Sequence, residues 1–157
     1  MSQSESVLQL RLRTYGESHQ NARNILIHKF CVPAIVLSII GLLSTIPFPF
    51  ADEPGLHWGG ILAVGMLIYY FLLSPAYALI MCLYVGACLG IVHGVLLNLS
   101  PGASLSLWVG VFVIAWIGQF IGHKIEGKKP SFLDDIRYLL IGPLWVFHAI
   151  KTKKTGV

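Results

Sequence analysis

From Phe30 to His123 the sequence contains no lysine and no arginine. The only charges in that stretch are Asp52 and Glu53. A charged side chain at the centre of a bilayer costs roughly 2.5–3.5 kcal/mol on insertion scales, so a chain that crosses a membrane repeatedly clears its middle of charge. With 11% charged residues, 55% hydrophobic ones and mean hydropathy +0.74 over 157 residues, the composition excludes an ordinary soluble domain, which carries about 25% charge. Cysteine is scarce too. Cys31, Cys82 and Cys88 sit in apolar runs without metal-motif spacing, which excludes a disulfide framework and reads as small buried hydrophobes. The polar stretch Met1 to Arg23 has no apolar h-region, so no cleavable signal peptide is expected. Internal repeats, low-complexity segments, a Gly-rich phosphate loop and a Gly-x-Ser-x-Gly elbow are all missing.

What is present is basic charge at both ends. Arg11, Arg13, Arg23 and Lys29 precede the charge-free stretch, and Lys124, Lys128, Lys129, Arg137, Lys151, Lys153 and Lys154 follow it. The positive-inside rule places both termini on the cytoplasmic side and requires an even number of spans. It also accounts for the net charge of +4 and the pI near 9.1, so no nucleic-acid partner is implied. The Lys151–Lys154 cluster suits the anionic cytoplasmic leaflet. Apolar runs of the length a span needs predict spans over 29–47, 56–73, 76–97 and 105–122. They are separated by the Pro47 to Gly55 loop, the Ser74–Pro75 break and the Asn98 to Gly102 loop. Gly86, Ala87, Gly90 and Gly94 would let the third span approach its neighbours closely. Ser131 and Asp134 read as a capping box opening an amphipathic segment that Gly142–Pro143 interrupts. A second interfacial helix is expected over 6–18. The expected fold is therefore all-α: one membrane-embedded domain over 1–157, with a cytoplasmic segment 1–27, a four-span bundle 29–122 and an interfacial helix 131–150.

Among the six histidines, topology groups three. His19 and His28 lie just before the charge-free stretch and His123 closes it, so all three face the same side of the membrane. On one straight helix His19 and His28 would be about half a turn out of phase and about 13 Å apart. Convergence therefore needs a break, for which Gln20 to Asn24 is the natural place, with Asn24 capping the first span. Three imidazoles suit Fe(II), Zn(II) or Cu(II); the alternative is that they hydrogen-bond headgroups and backbone. His57 and His148 read as interfacial, and His93 lies in the outer half of the third span. The His-x-x-His boxes of the fatty-acid hydroxylase type are absent.

At these residues the sequence resembles the membrane Fe(II)-dependent 2-hydroxy fatty acid dioxygenase family of the yeast phytosphingosine-breakdown type. One block is Tyr15-Gly-Glu-Ser-His19-Gln-Asn21-Ala-Arg-Asn24-Ile-Leu-Ile-His28, followed by Val32-Pro33. The other is Trp116-Ile-Gly-Gln119-Phe-Ile-Gly122-His123, continuing through Glu126, Lys128 and Pro130 to Leu133 and Asp134. The family pattern has Tyr-x3-His-x4-Asn-x3-His and Gln-Phe-(Ile/Val)-Gly-His in this order. Together the blocks cover about a quarter of the chain. The middle matches only in hydropathy. Two departures stand out: Gln20, left out of the ligand set, replaces a second histidine after the first, and the turn after His123 is one residue shorter, so Glu126 need not superpose on the family's acidic residue and counts among the residues that would support the ligands or bind substrate.

The resemblance implies oxidation of a long-chain 2-hydroxy fatty acid by O2 to an acid one carbon shorter, at Fe(II) held by His19, His28 and His123. Tyr15, Asn21, Asn24 and Gln119 would orient the imidazoles, and Arg23, Lys124 or Lys128 would pair with the substrate carboxylate. Should a continuous helix remove His19 from the set, His148 or Glu126 is the next donor. The expected setting is multi-pass in a bacterial inner membrane or the endoplasmic reticulum, with the site on the cytoplasmic face; a homodimer in the bilayer is compatible with so small a chain. Two other classes stay open on the same residues: a zinc-dependent membrane lipid hydrolase and a non-catalytic lipid-binding protein.

Overall fold

The computed structural model describes residues 7–17, 19–49, 56–127 and 138–154. Among them every regular element is a helix and there is no strand: α1 (Val7–Glu17), α2 (Ala22–Ser44), α3 (Trp58–Leu73), α4 (Pro75–Asn98), α5 (Pro101–Glu126) and α6 (Ile141–Lys154). The all-α expectation holds, and α1 is the helix expected over 6–18. The capping box at Ser131 and Asp134, Lys128, and the acidic pair Asp52 and Glu53 lie outside the described residues.

Three helices are long and apolar enough to cross a membrane, namely α2, α4 and α5; α3 is apolar but has 16 residues. At 1.5 Å per residue α3 reaches about 24 Å, short of the roughly 30 Å hydrocarbon core. It starts later than the predicted span because His57 is extended and caps it, its ring accepting from the Gly60 N–H at 3.0 Å. At the other end Ser74 is extended (φ −167°, ψ 114°) and Pro75 opens α4, where its missing N–H costs nothing. The first span begins earlier than predicted, at Ala22, because polar residues up to His28 are drawn into the helix. In the C-terminal element Gly142 and Pro143 lie in the first turn of α6, a position proline tolerates; the earlier part of the expected segment, 131–137, lies outside the described residues.

Two compact units divide the chain: Met1–Pro33 with Ala115–Val157, and Ala34–Ile114. In the second, α3 packs along α4. Their buried positions are Gly59, Ala63, Met66 and Tyr70 on α3 and Ala78, Met81, Val85, Cys88 and Val92 on α4. Steps of three and four residues make one apolar seam per helix, the spacing that lets side chains interlock between helices lying side by side. The outward positions Ile68, Phe71, Leu79 and Leu83 are large, apolar and exposed, as befits a surface solvated by lipid.

The close approaches are made by glycines other than those expected. Gly86, Gly90 and Gly94 on α4 have no atom of the described residues within 4 Å of where a Cβ would stand. The tight positions in this unit are Gly41, which lies against the indole of Trp108, and Gly59, which lies on the Ile40 carbonyl and the Ser44 hydroxyl. That hydroxyl is itself bonded to the Ile40 carbonyl and to His57 Nδ1. Gly41→Ala should therefore lower stability by about 1–3 kcal/mol, the usual range for overpacking. Gly90→Ala, with open space around it, should be neutral or stabilising by up to about 1 kcal/mol through helix propensity. Thermal unfolding of the two variants in detergent checks this pair; equal melting temperatures would contradict the packing.

Candidate metal centre

The other unit begins from the backbone of α5. Gly118 lies against the Cys31 thiol and Gly122 against Asn24 and the ring of His28, so side chains of α2 occupy the space a Cβ would fill. One turn apart on α5, these glycines let it lie directly on the first half of α2. Gln119, His123 and Glu126 follow at spacings of four and three residues, which puts them on one face of the same helix.

The break between α1 and α2 is where the sequence reading expects it, and its chemistry is specific. Asn21, not Asn24, caps α2: its side-chain oxygen accepts from the Arg23 N–H at 2.9 Å. Asn24 is instead inside the helix and fully buried, because the carboxylate of Glu126 draws its amide in. Glu126 accepts hydrogen bonds from the backbone N–H of Gln20 (2.8 Å), the backbone N–H of Asn21 (3.0 Å) and Asn24 Nδ2 (2.8 Å). An anionic group at the start of a helix also meets the positive end of its dipole. Glu126 is thus a clamp that ties the end of α5 to the start of α2. Gln20, left out of the donor set, bonds the Gly16 carbonyl through its side chain.

With the turn held in this way, His19 folds back over His28. The ring centroids of His19 and His28 are 4.3 Å apart, those of His28 and His123 5.0 Å, and those of His19 and His123 5.9 Å. All three side chains are buried. His19 Nδ1 lies 2.7 Å from the Tyr15 carbonyl and His28 Nδ1 3.1 Å from the Asn24 carbonyl. A carbonyl only accepts, so each Nδ1 carries a proton; burial, first, and then the neighbouring His19 and His123 push the pKa of the His28 imidazole down to about 3, which keeps that ring neutral with its lone pair on Nε2. Metal-binding histidines are commonly oriented in this way. His28 Nε2 is buried without a hydrogen-bond partner.

By donor type and tautomer, these residues fit an imidazole-held ion. His28 meets both other rings edge to face, and no group of three or more His, Cys, Asp or Glu among the described residues is set to hold a metal. Closing all three nitrogens on one ion would take rotations of the rings.

Aromatic residues wall the cluster. Tyr15 stacks on His19 (4.3 Å, 19° between planes) and meets Trp145 edge-on at 5.4 Å; Trp145 also lies 5.3 Å from His19. Tyr138 packs on Tyr15 at 5.5 Å. Trp145 reaches this position because α6 packs on α1, and Gly142 sits close against Val32. Trp145 and Tyr138 are absent from the sequence-based candidates. Neither has a spacing relation to His19 or His123, and only the pairing of the terminal helices brings them in.

Gln119 is buried on α5, whereas Arg23 and Lys124 are exposed. Lys128 lies outside the described residues. His57 is in the other unit as the cap of α3, where burial and then the neighbouring His93 push its imidazole below the ordinary range. His93 is exposed on α4, and His148 is half-buried on α6.

A family model described as 2-hydroxy-palmitic acid dioxygenase Mpo1-like matches residues 6–154. No curated protein and no solved structure matches the chain.

The clamp makes a direct prediction. Hydrogen bonds to a charged group are worth roughly 1.5–3 kcal/mol. Glu126→Gln should therefore speed amide hydrogen exchange at Gln20 and Asn21 by about tenfold or more. Lys124→Gln, at an exposed position on the same turn, should leave those amides unchanged. Unaltered exchange in the Glu126 variant would remove the clamp from the account.

Proposed function

The chain belongs to the Mpo1-like family of 2-hydroxy-palmitic acid dioxygenases, and from that premise we propose that it oxidises long-chain 2-hydroxy fatty acids with O2, at Fe(II) held by His19, His28 and His123, to acids one carbon shorter. The observation that carries the reading is the gathering of three buried imidazoles with His19 and His28 both protonated on Nδ1, and with the lone pair of His28 Nε2 buried and unspent. The overall change balances as 2-hydroxy acid plus O2 giving the shortened acid, CO2 and water, with C1 lost and C2 becoming the new carboxyl. Bound iron would supply the electrons that make O2 reactive toward the C1–C2 bond.

The rest is the work of the chain. Glu126 and Asn24 hold the turn that carries His19 over His28. Tyr15 and Trp145 cover one side of the cluster and keep water from it. Gln119 lines the same face of α5 as His123. Arg23 and Lys124, exposed at the ends of α2 and α5, are placed to meet a carboxylate arriving from the headgroup layer. The acyl chain stays in the apolar phase, against the lipid-facing residues of the helices.

The membrane reading extends to four spans with both termini and the site on the cytoplasmic face, in a bacterial inner membrane or the endoplasmic reticulum. Three crossings would put the basic ends on opposite sides, against the charge distribution, so the short helix α3 has to count as a crossing where the bilayer thins to meet it. A cysteine-accessibility map checks this. In a background lacking Cys31, Cys82 and Cys88, the variants Gln3→Cys and Thr155→Cys should label from the same, cytoplasmic face. Labelling from opposite faces would sink the four-span topology.

Metal analysis of detergent-purified protein separates the chemistries. Iron is expected; zinc would favour a lipid hydrolase built on the same imidazoles, and no metal a lipid-binding protein. Replacing His19, His28 or His123 with Ala should abolish bound iron and 2-hydroxy acid turnover while leaving membrane insertion intact. His57→Ala should do neither. Turnover that survives His28→Ala would refute the site.

A further inference from the structure

Gln119 is 3% exposed, and its Oε1 is buried with no hydrogen-bond partner. Buried carbonyl oxygens are normally paired, and one left open calls for an account of what pairs it. Three nitrogen donors of the cluster are engaged elsewhere. His19 Nδ1 bonds the Tyr15 carbonyl, His28 Nδ1 the Asn24 carbonyl, and Asn24 Nδ2 the Glu126 carboxylate. Gln119 lies one turn before His123 on the same face of α5, a spacing that sets their Cβ atoms about 6 Å apart. A group held at the His123 ring is therefore within reach of its amide.

We propose that the side-chain oxygen of Gln119 accepts the hydrogen of the substrate's 2-hydroxyl and is the residue that distinguishes a 2-hydroxy fatty acid from an unsubstituted one. This rests on the dioxygenase reading above. At neutral pH such a substrate has one hydrogen-bond donor, the hydroxyl on C2; its carboxylate only accepts and its chain does neither. An acceptor that burial leaves unpaired penalises any ligand lacking that donor, which is how buried polar groups reject analogues.

The measurement is equilibrium binding of 2-hydroxypalmitate and palmitate to the full-length, iron-loaded protein in detergent. Wild type should prefer the hydroxy acid by about tenfold or more. Gln119→Met, close in volume and without an acceptor oxygen, should reduce that ratio to about threefold or less. It should do so by weakening 2-hydroxypalmitate alone, with palmitate affinity, iron content and melting temperature unchanged. Gln119→Glu, which keeps an acceptor, should retain the preference. A preference surviving in Gln119→Met overturns the assignment, and so does an equal loss of both acids or a loss of iron, either of which would make Gln119 structural. One arm needs no variant: 2-fluoropalmitate, which has no donor at C2, should bind wild type no better than palmitate, and binding equal to that of the hydroxy acid overturns the proposal. If wild type itself shows no preference, the 2-hydroxy acid reading fails and this assignment with it. That result is distinct from a preference that ignores Gln119.

Discussion

The direct contact of α5 with the start of α2 is the constraint on which the site depends. Gly118 and Gly122 have no side chain to hold the helices apart, and Cys31, Asn24 and His28 fill the space. In a lipid phase, helices gain little from burying apolar surface against each other, so close packing and polar contacts decide which pairs form. The glycines provide the packing and Glu126 the polar contact. The carboxylate on the N–H groups of Gln20 and Asn21, just before α2, fixes how far along the two helices the match occurs, and with it the height of His123 relative to His28. A larger residue at 122 or a shifted Glu126 would leave three histidines in the chain but no cluster.

Most of this was legible in the sequence, for physical reasons that differ by residue. The absence of lysine and arginine from 30 to 123 announces membrane helices because the cost of burying charge is large and unambiguous. His19 and His28 could be placed together only if the helix broke between them, and a polar run with two asparagines is a weak but real sign of such a break. The choice of capping asparagine was not readable. Asn21 and Asn24 are equally good caps by type, and what separates them is a carboxylate more than a hundred residues away in sequence. For the same reason Glu126 could be seen as a donor but not as a clamp.

Where the sequence misled, a local signal lacked its partner. The stripe Gly86, Gly90, Gly94 is a sound packing motif, yet nothing among the described residues stands within 4 Å of where side chains would begin. Gly41 and Gly59, isolated in sequence, are the ones pressed against neighbours. A glycine's role is decided by the other surface. The length of α3 is a similar case: hydropathy marks 56–73 as one run, but His57 spends its ring on capping the helix, and the two residues this removes bring it below the usual span.

The way the elements are joined also sets the order in which the protein can be completed. Helices α3 and α4 are separated by a single extended residue, Ser74, so their contacts close a very short loop and can form as soon as both have left the ribosome. The histidine cluster has the opposite character. Its first two rings are at 19 and 28, the third is at 123, and the wall contributed by Trp145 comes later still. Translation must pass residue 123 before the cluster can exist and residue 145 before it is walled. A chain cut short before His123 therefore carries the membrane helices without the histidine cluster, and whatever the three imidazoles hold can be bound only after the helices that carry them have been made.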